Sequence, residues 1–63
     1  MPKTNITVKL VGNDGNAFAI LGTVTKALRN GGHPELIAEF QKEAMSGDYD
    51  HLLCTAYEYV EVE

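Results

Sequence analysis

Sixty-three residues carrying a formal net charge of −4, nine Asp and Glu against five Lys and Arg, make a single domain, 1–63, with little to offer a nucleic acid. Backbone phosphates reward Lys and Arg through counterion release, and five scattered cations supply little of it, so no direct nucleic-acid partner is expected. The lone cysteine, Cys54, excludes an intramolecular disulfide. With only His33 and His51 beside it, no structural metal site and no cofactor are expected.

A chain of this length buries only about 60% of the surface its unfolded form exposes. Folds so small usually need a disulfide, a metal or association with copies of themselves. With the first two set aside, a homo-oligomer is the expectation. Residues Met1 to Asn5 lack the apolar run of a signal peptide, and no stretch approaches the ~20 apolar residues of a membrane span. The expectation is a cytoplasmic protein without a membrane partner, and a single cysteine suits a reducing compartment.

In chain order, Asn5–Val11 alternates polar and β-branched residues, which predicts a strand with Ile6, Val8 and Leu10 on one face. Gly12-Asn13-Asp14-Gly15-Asn16 stops it with five turn-forming residues. From Ala17 the period becomes helical. Ala17, Leu21, Val24 and Leu28 lie on one line flanked by Phe18, Ile20 and Ala27, Asn16 is placed to cap, and Asn30-Gly31-Gly32 ends the helix. The opposite face carries Ala19, Gly22, Lys26 and Arg29, a shallow basic strip.

His33-Pro34 opens a second helix, with Leu36, Ile37, Phe40 and Ala44 as its buried stripe and Ser46-Gly47 as its end. Asp48 caps a third, whose inner face is Leu52, Leu53, Ala56 and Val60. Near Tyr59 the pattern turns to alternation and predicts a short closing strand, a helical continuation being the alternative. The class is therefore α+β, in the order β-α-α-α-β. Three antiparallel helices return the chain to its starting end, so adjacent strands run parallel. A two-stranded sheet leaves edges exposed, and pairing them across a two-fold axis is the expected route to the oligomer.

Candidate sites follow from these placements. Asn13, Asp14, Gly15 and Asn16 join a strand to a helix N-terminus, where free amides suit a phosphate or carboxylate, although no Gly-Lys-Ser/Thr ending makes it a Walker loop. The plain alternative is a turn with a cap. Lys26 and Arg29 could clamp a phosphate or carboxylate, or simply be solvated. Asp50, His51 and Cys54 share a helical turn, but so short a chain can hardly enclose a catalytic cleft, and the reading is non-enzymatic. Tyr57, Tyr59 and Glu61 form an aromatic and acidic tail that suits a protein partner, unless the tyrosines only rim the core.

The segments Asp14-Gly15-Asn16-Ala17-Phe18-Ala19-Ile20-Leu21-Gly22, Ser46-Gly47-Asp48-Tyr49-Asp50-His51-Leu52-Leu53 and Tyr59-Val60-Glu61-Val62 resemble a family of short phage and mobile-element proteins. That family has no assigned activity, so no residue roles carry over. The resemblance implies a setting in which tiny proteins act by stoichiometric binding. Two functions are therefore expected. One is a counter-defence oligomer sequestering a nucleotide-type small molecule at a subunit interface. The other is an adaptor or inhibitor docking on a host protein through Tyr57, Tyr59 and Glu61. A blander third is a regulator of the assembly of other proteins.

Overall fold

The computed structural model describes residues 2–10 and 16–63. Its elements are β1 (Thr7–Val8), α1 (Ala17–Asn30), a 3-10 turn (Pro34–Leu36), α2 (Ile37–Ala44), α3 (Tyr49–Tyr59) and β2 (Glu61–Val62). This is the expected β-α-α-α-β order of an α+β fold. The strands run parallel, with Thr7 opposite Glu61 and Val8 opposite Val62. The Glu61 and Glu63 amides donate to the Ile6 and Val8 carbonyls at 2.8 and 2.9 Å.

Both strands are shorter than the alternation of Asn5–Val11 suggests, because β1 can be no longer than its partner. α3 stays helical through Tyr59, so β2 begins only at Glu61. The closing strand thus begins two residues later than expected. Val8 and Leu10 nevertheless face the core, and Ile6 is half-buried.

The helix ends are set locally. The Asn16 side chain accepts the Ala19 amide at 3.1 Å, and the Asp48 side chain accepts the His51 amide at 2.9 Å, which satisfies an orphan donor in each first turn. α1 closes in a Schellman arrangement. The His33 amide reaches the Leu28 carbonyl at 2.8 Å, the Gly32 amide reaches Arg29, and Gly32 adopts φ +85°. Only glycine takes that backbone without strain.

The core is a wedge between the helices and the inner face of the sheet. Phe40, Ile20, Leu28, Val24 and Val60 are its largest fully enclosed apolar side chains. Phe40 meets Tyr59 edge to face, with ring centroids 5.4 Å apart. Buried hydroxyls are paired: Thr25 accepts from the Gln41 amide group at 3.0 Å, and Thr55 donates to the His51 carbonyl at 2.8 Å. Phe18 departs from the expected stripe and is 82% exposed. Residues two apart on a helix point about 200° apart, so α1 cannot bury both Phe18 and Ile20. The longer contact line Ile20, Val24 and Leu28 wins. Among the described residues, no helix is long and apolar enough to cross a membrane.

Candidate functional site

Of the residues expected to hold an anion, the described ones, Asn16, Lys26 and Arg29, stand apart within one chain. Asn13, Asp14 and Gly15 lie outside the described residues. Asn16 caps the start of α1, with its side chain committed to Ala19. Lys26 and Arg29 are exposed near the other end of the helix. At 1.5 Å per residue they stand roughly 15 and 20 Å along the axis from Asn16. A single small anion cannot bridge that span, so Asn16 and the basic strip are separate features of the surface.

His51 sits in a polar cluster that superficially resembles catalytic machinery. Its Nε2 lies 2.9 Å from Glu43 Oε2, 2.9 Å from the Glu43 carbonyl and 3.1 Å from Ser46 Oγ. A Ser-His-acid triad needs the hydroxyl on one ring nitrogen and the carboxylate on the other. Here both crowd the same nitrogen, and the Ser46 hydroxyl donates to the Glu43 carbonyl at 2.7 Å. The cluster fastens the α2–α3 turn. Gly47 completes it, because a Cβ there would stand 2.8 Å from His51 Cβ and Cγ. Cys54 is exposed, and no hydrogen bond joins it to His51 among the described residues. No three His, Cys, Asp or Glu side chains among the described residues gather to hold a metal ion.

The tail divides differently from its sequence pattern. Tyr57 and Tyr59 both belong to α3, and only Tyr57 is available at the surface. Tyr59 is 3% exposed, so it cannot join the partner surface expected of it. Its ring packs on Phe40, and its hydroxyl donates to Glu39 Oε2 at 2.6 Å. Lys3 Nζ reaches the same carboxylate oxygen at 3.0 Å and lies 5.2 Å from the Tyr59 ring centre. Thr4 Oγ1 donates to the Tyr59 carbonyl at 2.7 Å, and the Lys3 amide donates to the Glu58 carbonyl. Together these contacts strap the N-terminal segment across the end of α3. Burial, then the bond to Glu39, pushes the Tyr59 phenol well above its ordinary range. The Tyr59 hydroxyl, then Lys3, holds the Glu39 carboxyl below its ordinary value.

Tyr57 and Glu61 do meet. With Pro2, Thr7, Val60, Val62 and Glu63 they border a shallow groove. The Glu58, Glu61 and Glu63 side chains are exposed and form no ion pair among the described residues. In a parallel ladder that uses the Glu61 and Glu63 amides, the Val62 amide and carbonyl point to the unpaired edge.

At the other end of α3 lies a concavity that the sequence pattern did not reveal. Phe18, Leu21, Met45, Asp48, Tyr49 and Leu52 border an apolar groove of about 250 Å³. Phe18 is 82% exposed and Met45 60%. The only available signal was a phenylalanine that the α1 stripe could not accommodate together with Ile20.

Comparison with protein-family models, with curated proteins and with solved structures finds no match.

Proposed function

We propose that the protein is a non-enzymatic binding protein whose aromatic and acidic C-terminal surface docks an extended, cationic segment of a partner protein. The observation that carries this reading is the meeting of Tyr57, Glu61 and Glu63 around one groove beside the unpaired edge of β2. Each part contributes a different interaction. The carboxylates of Glu61 and Glu63 attract Lys and Arg, and the Tyr57 ring offers a flat face for an aliphatic stem or a guanidinium. Val62 presents one amide and one carbonyl to a strand laid alongside. Because the strands are two residues long, backbone pairing supplies register and the charges supply most of the attraction.

A nucleotide-sequestering oligomer is less well supported. Asn16 and the Lys26/Arg29 strip are too far apart to serve one ligand in one chain, so that function would require the two features to come from different copies.

The test is fluorescence anisotropy with a labelled short peptide of alternating lysine and valine. Binding is expected to weaken steeply with added salt, and Tyr57→Ala or Glu61→Gln is expected to weaken it by about tenfold each. Tyr57 is chosen alone because Tyr59→Ala would damage the core. Equal binding of a peptide of alternating glutamate and valine, or affinity untouched by both substitutions, would overturn the assignment.

A further inference from the structure

α3 ends at Tyr59, and a helix leaves its last carbonyls without intrahelical partners. Two of them are capped from the other end of the sequence. The Lys3 amide donates to the Glu58 carbonyl at 2.8 Å. The buried Thr4 hydroxyl donates to the Tyr59 carbonyl at 2.7 Å, across 55 positions of chain. The same hydroxyl accepts the Ile6 amide at 3.2 Å, so Thr4 ties the helix end to the chain that enters β1. Among the described residues, no amide that follows Tyr59 reaches either carbonyl.

We infer that the segment Pro2–Asn5 is a latch on the tail groove: with Thr4 seated the groove is formed, and with the latch lifted it is not. The inference rests on the docking function proposed above and assigns Thr4 and Lys3 to it as positioning residues. Three pieces of the groove meet where the latch is seated. Pro2 comes from the latch itself, Tyr57 from the last turns of α3, and Glu61 and Val62 from β2. Lifting the latch withdraws Pro2 and strips the Tyr59 carbonyl of its donor, next to the fully buried Val60 where α3 turns into β2. A polar group left unpaired in such a place is costly, so the helix end shifts to reach water and carries Tyr57 and β2 with it.

The latch opens alone because the core does not hang on it. Of Pro2 to Asn5 only Thr4 is buried, and none of the four belongs to the apolar core. The Lys3 ammonium adds a fastening 3.0 Å from Glu39 Oε2, but both side chains are half exposed, and exposed pairs hold weakly. The hinge falls at Ile6, which stays held when the latch lifts. Its carbonyl accepts the Glu61 amide at 2.8 Å, and its side chain fills the space that a Cβ on Gly31 would take. A segment with few buried apolar contacts and a handful of bonds opens at lower cost than the whole domain.

Hydrogen exchange by NMR and the anisotropy titration of the lysine–valine peptide test the latch on wild type, Thr4→Val and Thr4→Ser. Valine removes the hydroxyl and nearly keeps the shape, whereas serine keeps the hydroxyl. In Thr4→Val the Lys3 amide is expected to exchange about tenfold faster, and the peptide to bind about tenfold more weakly. The core amides of Val24 and Leu28 are expected to keep their protection, and Thr4→Ser to restore both readouts. Wild-type affinity in Thr4→Val, or a Lys3 amide that stays protected there, would overturn the inference. So would core amides that lose protection together with Lys3, or a Thr4→Val chain that does not fold, since the segment would then be no separate latch. A wild type that binds no peptide removes the docking function, and the latch is then judged by the Tyr57 and Val62 amide resonances of the free proteins. Displacement in Thr4→Val but not in Thr4→Ser supports it, and unmoved resonances overturn it.

Discussion

The two ends of α3 differ in how their polar and apolar groups are satisfied. At the tail end the buried Tyr59 hydroxyl is paired with the exposed Glu39, which Lys3 also reaches, and the buried Thr4 hydroxyl is paired with the Tyr59 carbonyl. What remains exposed there is charge, a single tyrosine ring and one strand edge. At the other end the turn is tied by His51, Glu43 and Ser46, and beside the exposed Asp48 and Asp50 it exposes two large apolar side chains, Phe18 and Met45. Tyr49 belongs to one end and Tyr57 to the other, about 12 Å apart along the helix. One small domain thus presents two surfaces of different chemistry, and each should respond to perturbations that leave the other alone.

The largest expected effect removes what both ends share. Phe40 is fully enclosed and touches the Tyr59 ring, so Phe40→Ala should cost about 3–5 kcal/mol of folding stability. In so small a domain that loss should abolish both surfaces together, as urea unfolding monitored by circular dichroism would report. A loss below about 1 kcal/mol would mean that the core is centred elsewhere.

A smaller change should separate the ends. Gly47→Ala places a methyl against His51 Cβ and Cγ, atoms that cannot swing aside as a side-chain tip can. We expect about 1–3 kcal/mol of destabilisation, with the apolar end disturbed and peptide binding at the tail retained. If the methyl is accommodated freely, the α2–α3 turn is looser than its hydrogen bonds indicate.

The smallest effect should appear at the tail strap and depend on pH. The Glu39 carboxyl is held below its ordinary value of 4.5, so its contribution is present above that value and is lost as pH falls through the lower folded-state value. Tyr59 is shifted upward from its ordinary 10.0, so its contribution is present below pH 10 and is lost as the solution becomes more alkaline. Tyr59→Phe should lower the melting temperature by a few degrees at neutral pH and flatten the alkaline limb. Glu39→Gln should flatten the acid limb. Limbs unchanged in both variants would remove the strap from the account.

How far this could be seen in the sequence depended on whether the cause was local. Asn16 and Asp48 were legible as caps because a cap answers to amides two or three residues away. The order of elements and the parallel strands followed from periodicity and helix count. Tyr59 was misplaced because alternation in Tyr57–Glu63 fits a strand, while packing on Phe40 and the bond to Glu39 prolong the helix. Phe18 was assigned to a stripe because periodicity counts apolar residues without knowing which line meets a neighbour. The groove beside it needs Met45 and Tyr49 from another part of the chain, so no local pattern contains it. Of the tail site, Tyr57 and Glu61 were legible as an exposed pair, whereas Pro2 and Thr7 arrive only through tertiary structure.

The central claim is that docking belongs to the tail end of α3 and not to its apolar end. The most direct measurement is the anisotropy titration of the labelled lysine–valine peptide into Phe18→Ser and Tyr57→Ala side by side. The account predicts that Phe18→Ser binds the peptide as wild type does, while Tyr57→Ala binds about tenfold more weakly. Equal loss in both folded variants, or a loss confined to Phe18→Ser, would contradict it.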